Sequence, residues 1–133
     1  ILGVEVEKVK SVETVSLSMI LDEMNFDGVT AVLKTDTQGK DFDVVRSMGR
    51  HLLKTFIVKS EYNTWGQYKN EPTDSGAAFE EYMKSIGFEV QRKDRADIFF
   101  INKKIQDSLT EDETLRLLKH TNEVLNTLQF QVT

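Results

Sequence analysis

Apolar residues recur along the chain in two rhythms, one helical and one strand-like, and their order predicts a mixed fold. Val4-Glu5-Val6-Glu7 alternates apolar and polar as a half-buried strand does. Val9, Val12 and Val15 then recur every three residues, closer to helical spacing, while the β-branched richness argues for extended chain through at least part of this region. Leu17, Ile20, Leu21 and Met24 then fall at i, i+3, i+4 and i+7, which predicts a short helix with one apolar stripe. Ser16 suits its N-cap, because a hydroxyl there accepts from a free N–H of the first turn. Asn25 tolerates the left-handed backbone that ends a helix, and Asp27-Gly28 reads as a turn. Residues 29–34 form a strand whose near-continuous apolar character (Val29, Ala31, Val32, Leu33) predicts burial on both faces.

After a polar loop over 35–40, a longer helix opens near Asp41, whose carboxylate suits both a cap and the positive end of the helix dipole. Val44, Val45, Met48, Leu52, Leu53 and Phe56 carry its period. The β-prone run Thr55-Phe56-Ile57-Val58 marks where it stops or passes directly into a strand. Residues 60–75 have no regular period and hold the only proline, Pro72; loops of this length are often functional. A third helix spans about 75–86 on Ala78, Phe79, Tyr82, Met83 and Ile86, and Gly87 terminates it. Phe88-Glu89-Val90-Gln91-Arg92 alternates as a strand. After a turn at 94–96, the apolar run Ile98-Phe99-Phe100-Ile101 supplies the second arm of an antiparallel hairpin, buried on both sides. Ser108 and Thr110 each precede a glutamate by three residues (Glu111, Glu113), the capping-box spacing that opens a last helix reaching about 129. The fold class is α+β, or mixed α/β: one domain over 1–133, with a sheet of about four to five strands, a C-terminal antiparallel hairpin and about four helices.

Composition narrows the chemistry. At 133 residues and 39% hydrophobic, the chain can bury a core without staples. The absence of cysteine excludes disulfides, thiolate metal sites and a thiol nucleophile, and points to the cytoplasm. No apolar run is long enough for a membrane span. The net charge of −5 identifies no partner. The chain opens at Ile1 with no initiator methionine, so the numbering is expected to begin inside a longer product.

Three constellations could carry function. Arg46, Arg50 and Lys54 stand at i, i+4 and i+8 of the second helix, a line that could follow phosphates or simply form a solvated face. Tyr62, Trp65 and Tyr68 recur every third residue in the irregular segment, flanked by Lys59 and Lys69. Rings interleaved with cations suit a protein interface or single-stranded nucleic acid, and they could equally pin the loop to the core. Asp22, Asp27, Asp36, Asp41, Asp43 and Asp97 lie near element ends, where carboxylates can cap, turn or bind a divalent cation.

His51 and His120 form no metal or relay motif. Neither G-x-G-x-x-G nor G-x-x-x-x-G-K-[ST] occurs, so no cofactor is expected. On the last helix, Leu115 and Leu118 lie on one face and Leu117, Val124 and Leu128 on another, a width that could serve a partner or a second copy. The sequence therefore favours a non-enzymatic regulatory or adaptor domain acting through protein contacts. Nucleic-acid binding is the alternative, and a divalent-metal nuclease or phosphodiesterase the third reading.

Overall fold

A computed structural model describes residues 8–62, 75–94 and 96–132, with side chains over the same span apart from residue 75 and residues 128–132. Four strands form one mixed sheet: β1 (Thr30–Lys34), β2 (Thr55–Glu61), β3 (Phe88–Asp94) and β4 (Asp97–Asn102), in the order β1-β2-β4-β3. β1 runs parallel to β2, and the other two pairings are antiparallel, including the expected β3–β4 hairpin. The helices are α1 (Leu17–Glu23), α2 (Asp41–Arg46), a 3₁₀ segment (Gly49–Lys54), α3 (Ser75–Ser85), α4 (Lys103–Ser108) and α5 (Glu111–Val132). The architecture is thus the expected single mixed α+β domain with a four-stranded sheet, but with six helical segments among the described residues rather than about four.

Each face of the sheet has its own apolar cluster. On the first, Val58, Phe88, Ile98 and Phe100 meet Val45, Met48 and Leu52 from the α2 region and Phe79 and Met83 from α3, with Leu17 and Leu21 of α1 at the margin. On the second, Ile57 and Ile101 are covered by Ile105, Leu109, Leu117 and Leu118 from α4 and α5. Nearly the whole of β4 is buried, because helices cover both of its faces and a strand pairs with each edge.

Four local expectations need correction. Residues 8–16 form no strand, and Val9, Val12 and Val15 are exposed; the alternating run 4–7 lies outside the described residues. β1 is only half-buried, because it is an edge strand, whereas its composition had suggested a central one. The long helix from 41 is broken. α2 ends at Arg46, and the backbone turns at Gly49, whose φ of +56° is a conformation that glycine accepts without penalty. The chain then tightens to 3₁₀ before entering β2. Finally, α4 was not anticipated. It is one and a half turns long and capped by Asn102, whose side chain accepts from Ile105 N–H.

Where capping chemistry is local, sequence and structure agree. Ser16 Oγ accepts from Met19 N–H at 3.2 Å. Thr110 and Glu113 close the capping box reciprocally, at 3.0 and 3.1 Å. Asn25 and Gly87 both adopt positive φ.

Candidate functional site

The three cations expected on one helix do not share one. Arg46 closes α2, while Arg50 and Lys54 belong to the 3₁₀ segment. Each is held by carboxylates. Arg46 reaches Asp43 at 2.6 Å and lies over the Phe42 ring. Arg50 bridges Asp22 at 2.8 Å and Asp27 at 3.4 Å, and Lys54 meets Asp27 at 2.7 Å. The His51 ring is completely buried and sets Nε2 2.8 Å from Asp22 Oδ1. These bonds hold the Asp22 carboxyl below its ordinary range, chiefly through His51 and then Arg50. Asp27 is lowered chiefly by Lys54. Two of the aspartates singled out as potential metal ligands are thus engaged by the very cations singled out as phosphate contacts.

The remaining aspartates are dispersed. Asp41 is buried as the first residue of α2, where it accepts from the Thr37 hydroxyl at 2.9 Å. The expected capping role is not realised, since the N-cap position falls to Lys40 without a side-chain bond. Asp36 accepts from Gln38, and Asp97 lies across from Glu61 and Asp94 in the sheet. Among the described residues no group of three or more His, Asp or Glu side chains could hold a metal ion.

Of the aromatic segment, Trp65, Tyr68 and Lys69 lie outside the described residues. Tyr62 continues β2 with its N–H donating to Ala96 O at 2.8 Å, and its half-buried ring packs against the first cluster. Lys59 stands on the second face, 5.1 Å from the centroid of Phe99. The segment therefore begins as sheet rather than as free loop.

Two features escaped the sequence reading. The first is α1, which buries none of its residues. Leu17 and Leu21 face the first cluster, but Ile20 and Met24, which the spacing puts on the same stripe, are exposed, as is Met19. Met19 is 53% exposed and Met24 68%. The helix is nonetheless firmly mounted. Leu17 N–H donates to Ser47 Oγ, Ser18 N–H to Ser47 O, and Asp22 is anchored on His51 and Arg50. The helix thus leaves Met19, Ile20 and Met24 in water while it is fixed to the body of the domain. The signal was present in the sequence: five apolar residues in eight positions exceed one stripe.

The second is a cleft of about 320 Å³ between the second face of the sheet and α5, bordered by Gln91, Arg92, Phe99, Thr121, Asn122 and Leu125 among others. It depends on a β-bulge in β3. Val90 pairs with Phe100 and Arg92 with Phe99, so Gln91 is an extra residue in the ladder. Without it, the period of two would place Arg92 on the first face with Phe88 and Val90. The bulge instead rotates Arg92 onto the second face, its guanidinium 4.2 Å from the Phe99 centroid, and returns Lys93 to the first face, where it meets Glu80 of α3 at 2.9 Å. Such re-aiming of side chains is a common use of bulges.

On α5, Leu118 and Leu125 turn to the sheet while Leu115 remains 61% exposed; the side chain of Leu128 lies outside the described residues. No helix among the described residues is long and apolar enough to cross a membrane. Neither the family models, nor the curated proteins, nor the solved structures compared with this chain yielded a match.

Proposed function

We propose that the chain is a non-enzymatic regulatory or adaptor domain, working in the cytoplasm through protein contact, with the outer side of α1 as its principal surface. The observation that carries this reading is the exposure of Met19, Ile20 and Met24 on a helix pinned to the body through Ser47 and Asp22. Methionines adapt their shape to varied apolar partners. A pre-fixed helix also spends little ordering entropy on binding. The segment holding Tyr62, Trp65 and Tyr68, and self-association through Leu115 of α5, are secondary surfaces in the same reading. The nucleic-acid alternative has less support, because Arg46, Arg50 and Lys54 already serve Asp43, Asp22 and Asp27.

A photo-crosslinking residue placed at Met24 in cells making the protein tests the proposal, with Lys104 of α4 as the exposed control on the other face. The expected result is a discrete protein adduct at Met24 that Met19→Lys abolishes without lowering the melting temperature. Equal labelling at both positions overturns it. An oligonucleotide complex that weakens steeply with salt would transfer the assignment to nucleic-acid binding.

A further inference from the structure

We propose that the cleft between β3–β4 and α5 binds a small monocarboxylate with an apolar body, its charge held by Arg92 and its oxygens also reached by Thr121. The inference is independent of the α1 surface and rests on three features of the cleft. Its lining is mixed and slightly more polar than apolar: Ile57, Phe99, Leu118 and Leu125 supply the apolar part, while Gln91 and Arg92 on the strand side and Thr121 and Asn122 on the helix side supply the polar part. Its volume of about 320 Å³ lies at the small end of the range of small-molecule sites.

Thr121 is the second feature. It is 3% exposed, and among the described residues its hydroxyl has no hydrogen-bond partner. A helical threonine ordinarily avoids this by donating to the carbonyl four residues back, as Thr127 does to Glu123 at 2.9 Å. Thr121 does not make that bond. A χ1 rotation is open to threonine in a helix, so the hydroxyl can turn to an acceptor that enters the cleft.

The third feature is the charge that the bulge brings to the cleft. Asp94 takes Arg92 on its Nε edge at 3.0 Å, so an entering carboxylate would meet the guanidinium end-on at its Nη groups. A planar carboxylate matches that pair of groups with two parallel bonds. Lys59, on the strand at the other side of Phe99, adds positive potential, and Lys34 stands next to it across β1. The acidic neighbours Glu61, Asp97 and Asp94 follow on the adjoining row of the same face. They limit the site to a monoanion seated at Arg92 and disfavour a more highly charged ligand spread over the sheet.

Octanoate and phenylpropionate are suitable probes, with octanol as the uncharged control, titrated into the full chain and followed by amide-proton NMR. The expected result is saturable shifts at Gln91, Arg92, Phe99, Thr121 and Asn122, with octanol about tenfold weaker or worse, the scale of a hydrogen bond to a charged group. Thr121→Val and Arg92→Gln should each weaken octanoate by about tenfold or more, whereas Thr121→Ser should retain it. Absence of saturable shifts, octanol binding as tightly as octanoate, or wild-type affinity in Arg92→Gln would overturn the proposal. Arg92 is exposed on an edge strand, so Arg92→Gln decides the matter even if Thr121→Val alters the packing of α5.

Discussion

His51 Nε2 and Asp22 Oδ1 lie 2.8 Å apart, joining a fully buried ring to a carboxylate at the surface and fixing α1 to the 3₁₀ segment 29 residues away in sequence. Because the carboxylate accepts, Nε2 carries the hydrogen in this arrangement. Nδ1 has no partner among the described residues; in a neutral ring it would keep only a lone pair, a smaller loss than a buried N–H. His51→Ala removes a packed ring and this link together and should lower the unfolding free energy by about 2–4 kcal/mol. Asp22→Leu should destabilise as well, by stranding the ring N–H. The double variant should lose less than the two single losses combined, since both single changes break one interaction. Urea denaturation of the three variants supplies the cycle, and strict additivity would contradict the coupling.

Acid should unfold the domain through its paired carboxylates. Asp22 and Asp27 are held below the ordinary value of 3.8, and Glu80 and Glu113 below 4.5. The leading causes are, in turn, the bonds from His51, Lys54, Lys93 and the Thr110 backbone. A carboxyl with a depressed folded pKa binds its proton more readily when unfolded, so its contribution is present above the unfolded value and is lost as pH falls through the folded one. Stability should therefore hold steady down to about pH 5 and decline through the range below 4.5. Asp27→Asn should flatten the decline. Urea midpoints measured between neutral and acid pH check this, and a midpoint that rises on acidification would contradict it.

The elements legible in the sequence are those whose signal is local. Ser16, Thr110 with Glu113, and Gly87 announce helix ends through bonds or backbone conformations that involve only their neighbours. The hairpin was equally plain from two apolar runs and a turn. The illegible features depend on distant partners. His51 falls between the apolar and basic faces expected of its helix, and nothing nearby in sequence marks Asp22 of α1 as its partner. Arg92 continues an alternating strand, and nothing adjacent marks Gln91 as the extra residue; the bulge follows from satisfying Phe99 and Lys93 on opposite faces. For α1 the apolar pattern was too full to say which side faces the core. Spacing alone groups Ile20 and Met24 with Leu17 and Leu21, yet only the latter two pack on the first cluster.

Gly87 ends α3 with a φ of +100°, and a Cβ built there would meet nothing within 4 Å. The position therefore isolates backbone cost from steric cost. Gly87→Ala should destabilise by about 1–2 kcal/mol, the scale of placing an L-residue in left-handed backbone. A D-alanine introduced by chemical ligation should be neutral or stabilising, because positive φ is its preferred side and the unfolded chain loses freedom. Thermal unfolding of the two proteins checks this, since an L-alanine loss no larger than that of D-alanine would mean that the left-handed backbone is not the source of the cost.

Asn102 joins the end of β4 to the start of α4 while reaching across to β2. Its amide donates to Leu53 O at 3.1 Å and Thr55 O at 3.0 Å, and its Oδ1 accepts from Ile105 N–H at 3.3 Å, all on a side chain only 2% exposed. Asn102→Ala removes the cap and both donated bonds and should reduce stability by about 2–3 kcal/mol. Asn102→Asp keeps the capping oxygen but sets a buried negative charge against two carbonyl oxygens, so at neutral pH it should be the more damaging of the two. The sign of its pH dependence is opposite to that of Asp22. Burial and the carbonyls raise the introduced carboxyl's pKa in the folded state, so the folded protein takes up the proton first. The variant should accordingly regain stability relative to wild type as pH falls toward 5, because the protonated carboxyl can again donate to one carbonyl. Urea midpoints of wild type, Asn102→Ala and Asn102→Asp at neutral and mildly acid pH measure this. If Asn102→Asp tracks wild type at both, the amide's two donated bonds are not what tie β2 to α4.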